Sequence, residues 1–110
     1  MAKPTKEKVE AGSGNVFADL GFPNPEREAL KAQLTLQIFR LIRRRNLTQA
    51  AAGEILGIRQ PHVSSLMRGQ SGAFSVERLM EFLMALGQDV EITVRPKRKS
   101  QGAMSIVVVR

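Results

Sequence analysis

At 110 residues and 43% hydrophobic content, the chain has room for one small core, of a size that gains from dimerisation. It has no cysteine, which excludes a disulfide framework and a thiolate metal site and fits a reducing compartment. Seventeen basic residues against ten acidic give a net charge of +7; with a charged start that lacks an apolar signal core and no run of membrane-spanning length, a soluble, cytoplasmic protein is expected.

Residues 1–11 are polar and predict a disordered, basic N-terminus. Gly12-Ser13-Gly14 then opens an irregular but ordered arm over 12–23, in which Val16, Phe17, Leu20 and Phe22 are apolar anchors. Asn24-Pro25-Glu26 starts a helix, with Asn as N-cap, Pro at the first position and a carboxylate in the first turn. The helix is expected to run to about Arg45. Leu30, Leu34, Ile38, Leu41 and Ile42 form its main stripe, and Leu36 and Phe39 widen the apolar surface beyond what one contact face needs.

From Leu47 to Gly69 the pattern is two short helices hinged by a glycine. Thr48 is placed to N-cap the first, whose apolar positions Ala51, Ala52, Ile55 and Leu56 recur at helical spacing, and Gly57 follows as a left-handed terminator. Ile58 plugs the turn. The second helix begins near Gln60 with Pro61 in its first turn, where a missing N–H is harmless. Val63 and Leu66 face inward, three apart, and leave Gln60, His62, Ser64, Ser65 and Arg68 over the remaining surface until Gly69 stops the helix.

A last helix is predicted from Ser75 to Gly87, with Phe74 and Leu79 at the spacing of a hydrophobic staple. Leu79, Phe82, Leu83 and Leu86 form its core stripe, and Met80 and Met84 a second stripe that serves either as ordinary core or as interface. Gln88–Arg95 alternates Val90, Ile92 and Val94 with Glu91, Thr93 and Arg95, the mark of a half-buried strand that closes a domain over 24–95. One strand needs a partner: either a second copy of the chain or the Met104–Val109 segment, across the basic linker that opens 96–110. The latter segment is apolar on both faces, so exposure would make it an aggregation hazard.

The threonine–glutamine start at Thr48-Gln49, a small residue at Ala52, the turn glycine Gly57 and the inward Val63 and Leu66 resemble the helix-turn-helix of the phage-repressor (Cro/C1, XRE) family. A wider match, taking in Gly12–Gly21, the two short helices and Phe74–Ile92, resembles the HigA-type antitoxins of type II toxin–antitoxin systems. The resemblance implies a mainly α fold: a phage-repressor-like helix-turn-helix bundle of about four to five helices with a C-terminal β-strand or hairpin. It also implies a homodimer on double-stranded operator DNA and a RelE/HigB-like toxin as partner. The chain departs from the pattern twice: Ala51 replaces a capping glutamate, and Arg59 replaces the Asp, Ser or Thr expected to cap the recognition helix.

Charge distribution agrees with a DNA partner. Between Arg40 and Gly69 lie six arginines (Arg40, Arg43, Arg44, Arg45, Arg59 and Arg68) and only Glu54 opposing them, a net +5 that a phosphate backbone would attract. Arg43–Arg45 also suit the helix dipole at a C-terminus, and Arg44 is taken as a phosphate contact. Thr48 and Gln49 sit where free amides at a helix start suit a phosphate oxygen. Gln60 opens the recognition helix and can read adenine bidentately, Ser64 and Ser65 make weaker contacts, Arg59 can reach guanine or phosphate, and Arg68, at the far end, suits phosphate. His62, the lone histidine, has no second ligand for a metal and no partner for catalysis, so it is assigned to the surface or a phosphate.

The function expected is that of an autorepressing antitoxin, with a stand-alone phage- or host-type repressor as the alternative. No metalloprotease, serine-hydrolase or P-loop motif occurs, so an enzyme is not expected, nor is a cofactor. A pure protein-interaction module would require that no duplex bind.

Overall fold

The computed structural model describes residues 6–10, 20–21, 23–96 and 104–109, and within them the chain is mainly helical. The elements are β1 (Lys6–Glu10), α1 (Pro25–Arg44), α2 (Gln49–Leu56), α3 (Gln60–Met67), α4 (Val76–Ala85) and β2 (Ser105–Val109). The four helices fall within the expected number, and the C-terminal strand lies where it was predicted.

Helix α1 starts at Pro25, where the Glu28 amide donates to the Asn24 carbonyl at 3.0 Å. Glu26 and Glu28 lie in its first turn and Arg43 and Arg44 in its last, so both ends complement the helix dipole. Its exit is built on Asn46, whose φ of 52° places it in the left-handed region. The Asn46 amide donates to the Arg43 carbonyl and the Leu47 amide to that of Ile42, each at 3.1 Å, and these bonds occupy carbonyls that the helix would otherwise leave bare. Asparagine tolerates this conformation better than other side-chain-bearing residues do, so the turn into α2 needs no glycine.

The chain divides into two compact units. The first is Leu34–Thr93. Its core is made by Leu34, Ile38, Leu41 and Ile42 of α1, Ala52 and Leu56 of α2, Val63 and Leu66 of α3, and Leu79, Phe82 and Leu83 of α4 with Leu86 just beyond it. Each large member contributes about 1.5–3 kcal/mol by leaving water. The predicted stripes of α1 and α4 are the buried ones except for Leu30, which is half-buried, whereas Ile55, Leu36 and Met84 are exposed. Helix α4 is capped as expected: Ser75 Oγ accepts from the Arg78 amide at 3.1 Å. Phe74, just before the cap, meets the Phe82 ring edge-on at 5.0 Å.

The second unit comprises the described parts of 1–33 and 94–110. Its sheet is a two-stranded antiparallel pair of β1 and β2, in a register that sets Lys6 opposite Val109 and Glu10 opposite Ser105. Two expectations are corrected here. The N-terminus was expected to be disordered over 1–11, yet Lys6–Glu10 is a strand: the backbone of β2 needs a partner, and this segment supplies it. The second correction concerns Gln88–Arg95. No strand forms there: among the described residues the ladder joins only β1 and β2, and a segment without a ladder is not held as a strand. Within the expected arm, Leu20 is exposed, while Val16, Phe17 and Phe22 lie outside the described residues, as do Lys97, Arg98 and Lys99 of the basic linker.

Candidate nucleic-acid interface

Three local devices aim α2 and α3. Thr48 Oγ1 accepts from the Ala51 amide at 3.0 Å and its carbonyl accepts from the Ala52 amide at 2.9 Å, which fixes the first turn of α2. The amides of Gln49 and Ala50, first in that helix, have no intrahelical acceptor. Gly57, at φ 72° and ψ 32°, ends α2 in the left-handed conformation and donates to the Gly53 carbonyl at 2.8 Å. Ile58 donates to the same carbonyl at 3.0 Å.

The third device is Gly53, which sequence reasoning missed when it assigned the small-residue role to Ala52. A Cβ at 53 would stand 2.8 Å from the Ile58 carbonyl oxygen and 3.5 Å from Val63 Cγ2. The turn and the start of α3 thus press against α2 where only glycine fits. Ala52 is wholly buried in the core instead. The spacing held the signal: Gly53 lies four residues after Gln49 and four before Gly57, so the three share one side of α2.

Helix α3 begins without a side-chain cap, as the Arg59 departure implied, and Pro61 sits in its first turn. The Arg59 carbonyl instead accepts from the His62 and Val63 amides at 3.0 and 3.2 Å. An arginine side chain has donors only and cannot cap a helix start. Val63 and Leu66 are buried, while Arg59, Gln60, His62 and Arg68 are exposed. Four of the predicted contacts are thus exposed, Gln60 and His62 within α3 and Arg59 and Arg68 at its two caps. Ser64 and Ser65 are half-buried and already engaged: Ser64 Oγ accepts from Arg68 Nη1 at 2.7 Å, and Ser65 Oγ donates to the Pro61 carbonyl at 3.2 Å.

His62 also has a structural task that its sequence context did not reveal. Its ring meets Phe74 edge-on at 5.9 Å, and Phe74 meets Phe82, so the outer side of α3 is tied to the core through three rings. At the end of α1, Arg43 lies over the Phe39 ring at 5.8 Å and Arg45 Nη2 lies 2.9 Å from where a Cβ on Gly87 would be. Arg44 is exposed in the last turn of α1, and Thr48 and Gln49 open α2 just beyond it. Among the described residues no group of three or more His, Cys, Asp or Glu side chains could hold a metal ion, and no helix is long and apolar enough to cross a membrane.

A short helix with an uncapped arginine and an exposed glutamine at its start, set across a glycine turn from a capped helix, is the arrangement that enters a DNA major groove. A family model described as a helix-turn-helix domain matches residues 16–95. The chain belongs to this helix-turn-helix family. A solved structure named "Putative XRE Family Transcriptional Regulator" is 46% identical, with a TM-score of 0.68 over 74% of this chain and 92% of that one. A Mycobacterium tuberculosis (strain ATCC 25618 / H37Rv) protein named "Putative antitoxin HigA2" is 40% identical over 50 residues, 46% of this chain. The match spans 50% of that relative's length. The helix-turn-helix here is of the DNA-binding XRE type, and family and fold are those of transcription regulators, not of enzymes.

Proposed function

We propose that this chain is an autorepressing antitoxin: a homodimeric regulator that binds a palindromic operator and neutralises a RelE/HigB-like toxin in the cytoplasm. The observation that carries the DNA half is the exposed Arg59–Gln60 start of α3, held on a turn that Gly53 and Gly57 make tight. In this reading Gln60 reads an adenine edge, Arg59 takes guanine or phosphate, and Ser64 and Ser65 add weaker contacts. Gln49, with the free amides of α2, holds one phosphate, to which Thr48 contributes by fixing the turn; Arg44, His62 and Arg68 serve the backbone. Dimerisation follows from reach, because one helix of eight residues reads too few base pairs for useful specificity, and two copies about 34 Å apart read two half-sites. The toxin half is supported by the HigA2 similarity.

A second reading, a stand-alone repressor, is favoured by the nearly full-length match to the solved transcriptional regulator. One experiment separates them. The full chain is titrated into the duplex upstream of its own gene and into a scrambled duplex, and co-expressed with any small basic protein encoded beside it. Preferential binding with rescue of growth supports the antitoxin. Preferential binding without rescue supports the stand-alone repressor, and equal binding to both duplexes overturns the operator reading altogether.

A further inference from the structure

Arg27 and Arg78 pair with carboxylates, 3.7 Å from Glu28 and 3.3 Å from Glu81. Arg68 is held differently. Its Nη1 donates to Ser64 Oγ at 2.7 Å, a neutral acceptor, and among the described residues no carboxylate pairs with it. Its charge is fixed in place without being cancelled.

The backbone of Arg68 is fixed as well, because its amide donates to the Ser64 and Ser65 carbonyls, each at 3.1 Å. The side chain is therefore anchored at both ends. Gln60, Ser64 and Arg68 recur every four residues and so share one row that runs from the start of α3 to its C-cap. A side chain at 68 that bonds to Ser64 runs back toward the helix start, which brings the guanidinium closer to the level of Gln60 than its place in the sequence implies. Ser65 has no such role: its Oγ donates to the Pro61 carbonyl and holds no side chain.

We propose that Ser64 is a positioning residue that acts through Arg68, holding the guanidinium ready for one DNA phosphate and so fixing the register of Gln60 on the bases. The inference rests on the DNA reading above, in which Arg68 serves the backbone, and deepens it. One of the five guanidinium N–H groups is spent on Ser64, and the others are left for phosphate oxygens. Without the hydroxyl the arginine keeps its charge but must be ordered at the moment of binding, a cost equivalent to about a two- to tenfold loss of affinity.

Anisotropy titrations of the full chain, on the duplex upstream of its own gene and on a scrambled duplex, each over a range of salt, test this. Ser64→Ala should lower affinity by about two- to tenfold on both duplexes alike, with the slope of log affinity against log salt unchanged because the charge remains. Arg68→Ala should lower that slope by about 1. Added to Arg68→Ala, Ser64→Ala should cost less than about twofold more, since the group it positions is gone. Ser64→Thr, which keeps the acceptor oxygen, should bind within about twofold of the unmodified chain. A loss confined to the operator duplex makes Ser64 a base contact and overturns the proposal. An equal loss with and without Arg68 also overturns it, as does no loss at all. If Arg68→Ala changes neither affinity nor slope, Arg68 meets no phosphate, and the proposal falls while the Gln60 reading stands. If the unmodified chain binds neither duplex, both fall.

Discussion

Replacing Gly53 by alanine sets two effects of opposite sign against each other. In a helix interior alanine exceeds glycine by about 1 kcal/mol, so propensity alone predicts a more stable protein. At 53, however, the new Cβ stands 2.8 Å from the Ile58 carbonyl oxygen, about 0.5 Å inside the usual carbon–oxygen contact. That oxygen is backbone, not the end of a flexible side chain, and it belongs to the turn that aims α3. Relief requires the turn and the start of α3 to move together. Overpacking of this kind costs about 1–3 kcal/mol, so the net expectation is a loss of about 1 kcal/mol and a fall in Tm of about 4–8 °C. Thermal unfolding followed by circular dichroism measures it, with Glu54→Ala, exposed on the same helix, as the control that stays within about 0.5 kcal/mol. A shift of about 0.5 Å in α3 also reaches the limit of what precise recognition tolerates, so operator affinity should fall as well as stability. A rise in Tm would refute the close approach.

Thr48→Ala removes the side-chain acceptor for the Ala51 amide and should cost about 1 kcal/mol in chemical denaturation, with weaker DNA binding because the amides at the start of α2 lose their fixed geometry. Gln49→Ala should weaken binding on operator and random duplexes alike, as anisotropy titration on both would show, because a phosphate contact carries no sequence information. Arg44→Ala should lower the slope of log affinity against log salt by about 1, the signature of one fewer phosphate neutralised, with the ranking of duplex sequences unchanged.

What the sequence disclosed well was local. Thr48, Ser75 and Gly57 act within a few residues of themselves, so their types alone announced two caps and a left-handed stop, and the stripes of α1 and α4 followed from helical spacing. What it hid depended on distant segments. Lys6–Glu10 is a strand through its pairing with β2, a segment almost a hundred residues away, and the alternating 88–95 has no ladder among the described residues. Gly53 looked like an ordinary small residue until the turn was seen to fold back onto it. The candidate interface was legible as a set of residue types, but its division of labour was not: the Arg68–Ser64 bond and the His62–Phe74–Phe82 contacts depend on side-chain directions that spacing does not give.

The central claim is that α3 reads base sequence through its N-terminal residues. Selection from a random duplex library with the full chain, repeated with Gln60→Ala, tests it most directly. The unmodified chain should enrich an inverted repeat whose half-sites are about 10–10.5 base pairs apart, centre to centre. The variant should keep the repeat and its spacing but lose the preference for adenine at one position of each half-site, a discrimination of about 1–3 kcal/mol. An unchanged consensus from the variant, or no enriched sequence from the unmodified chain, would contradict the claim.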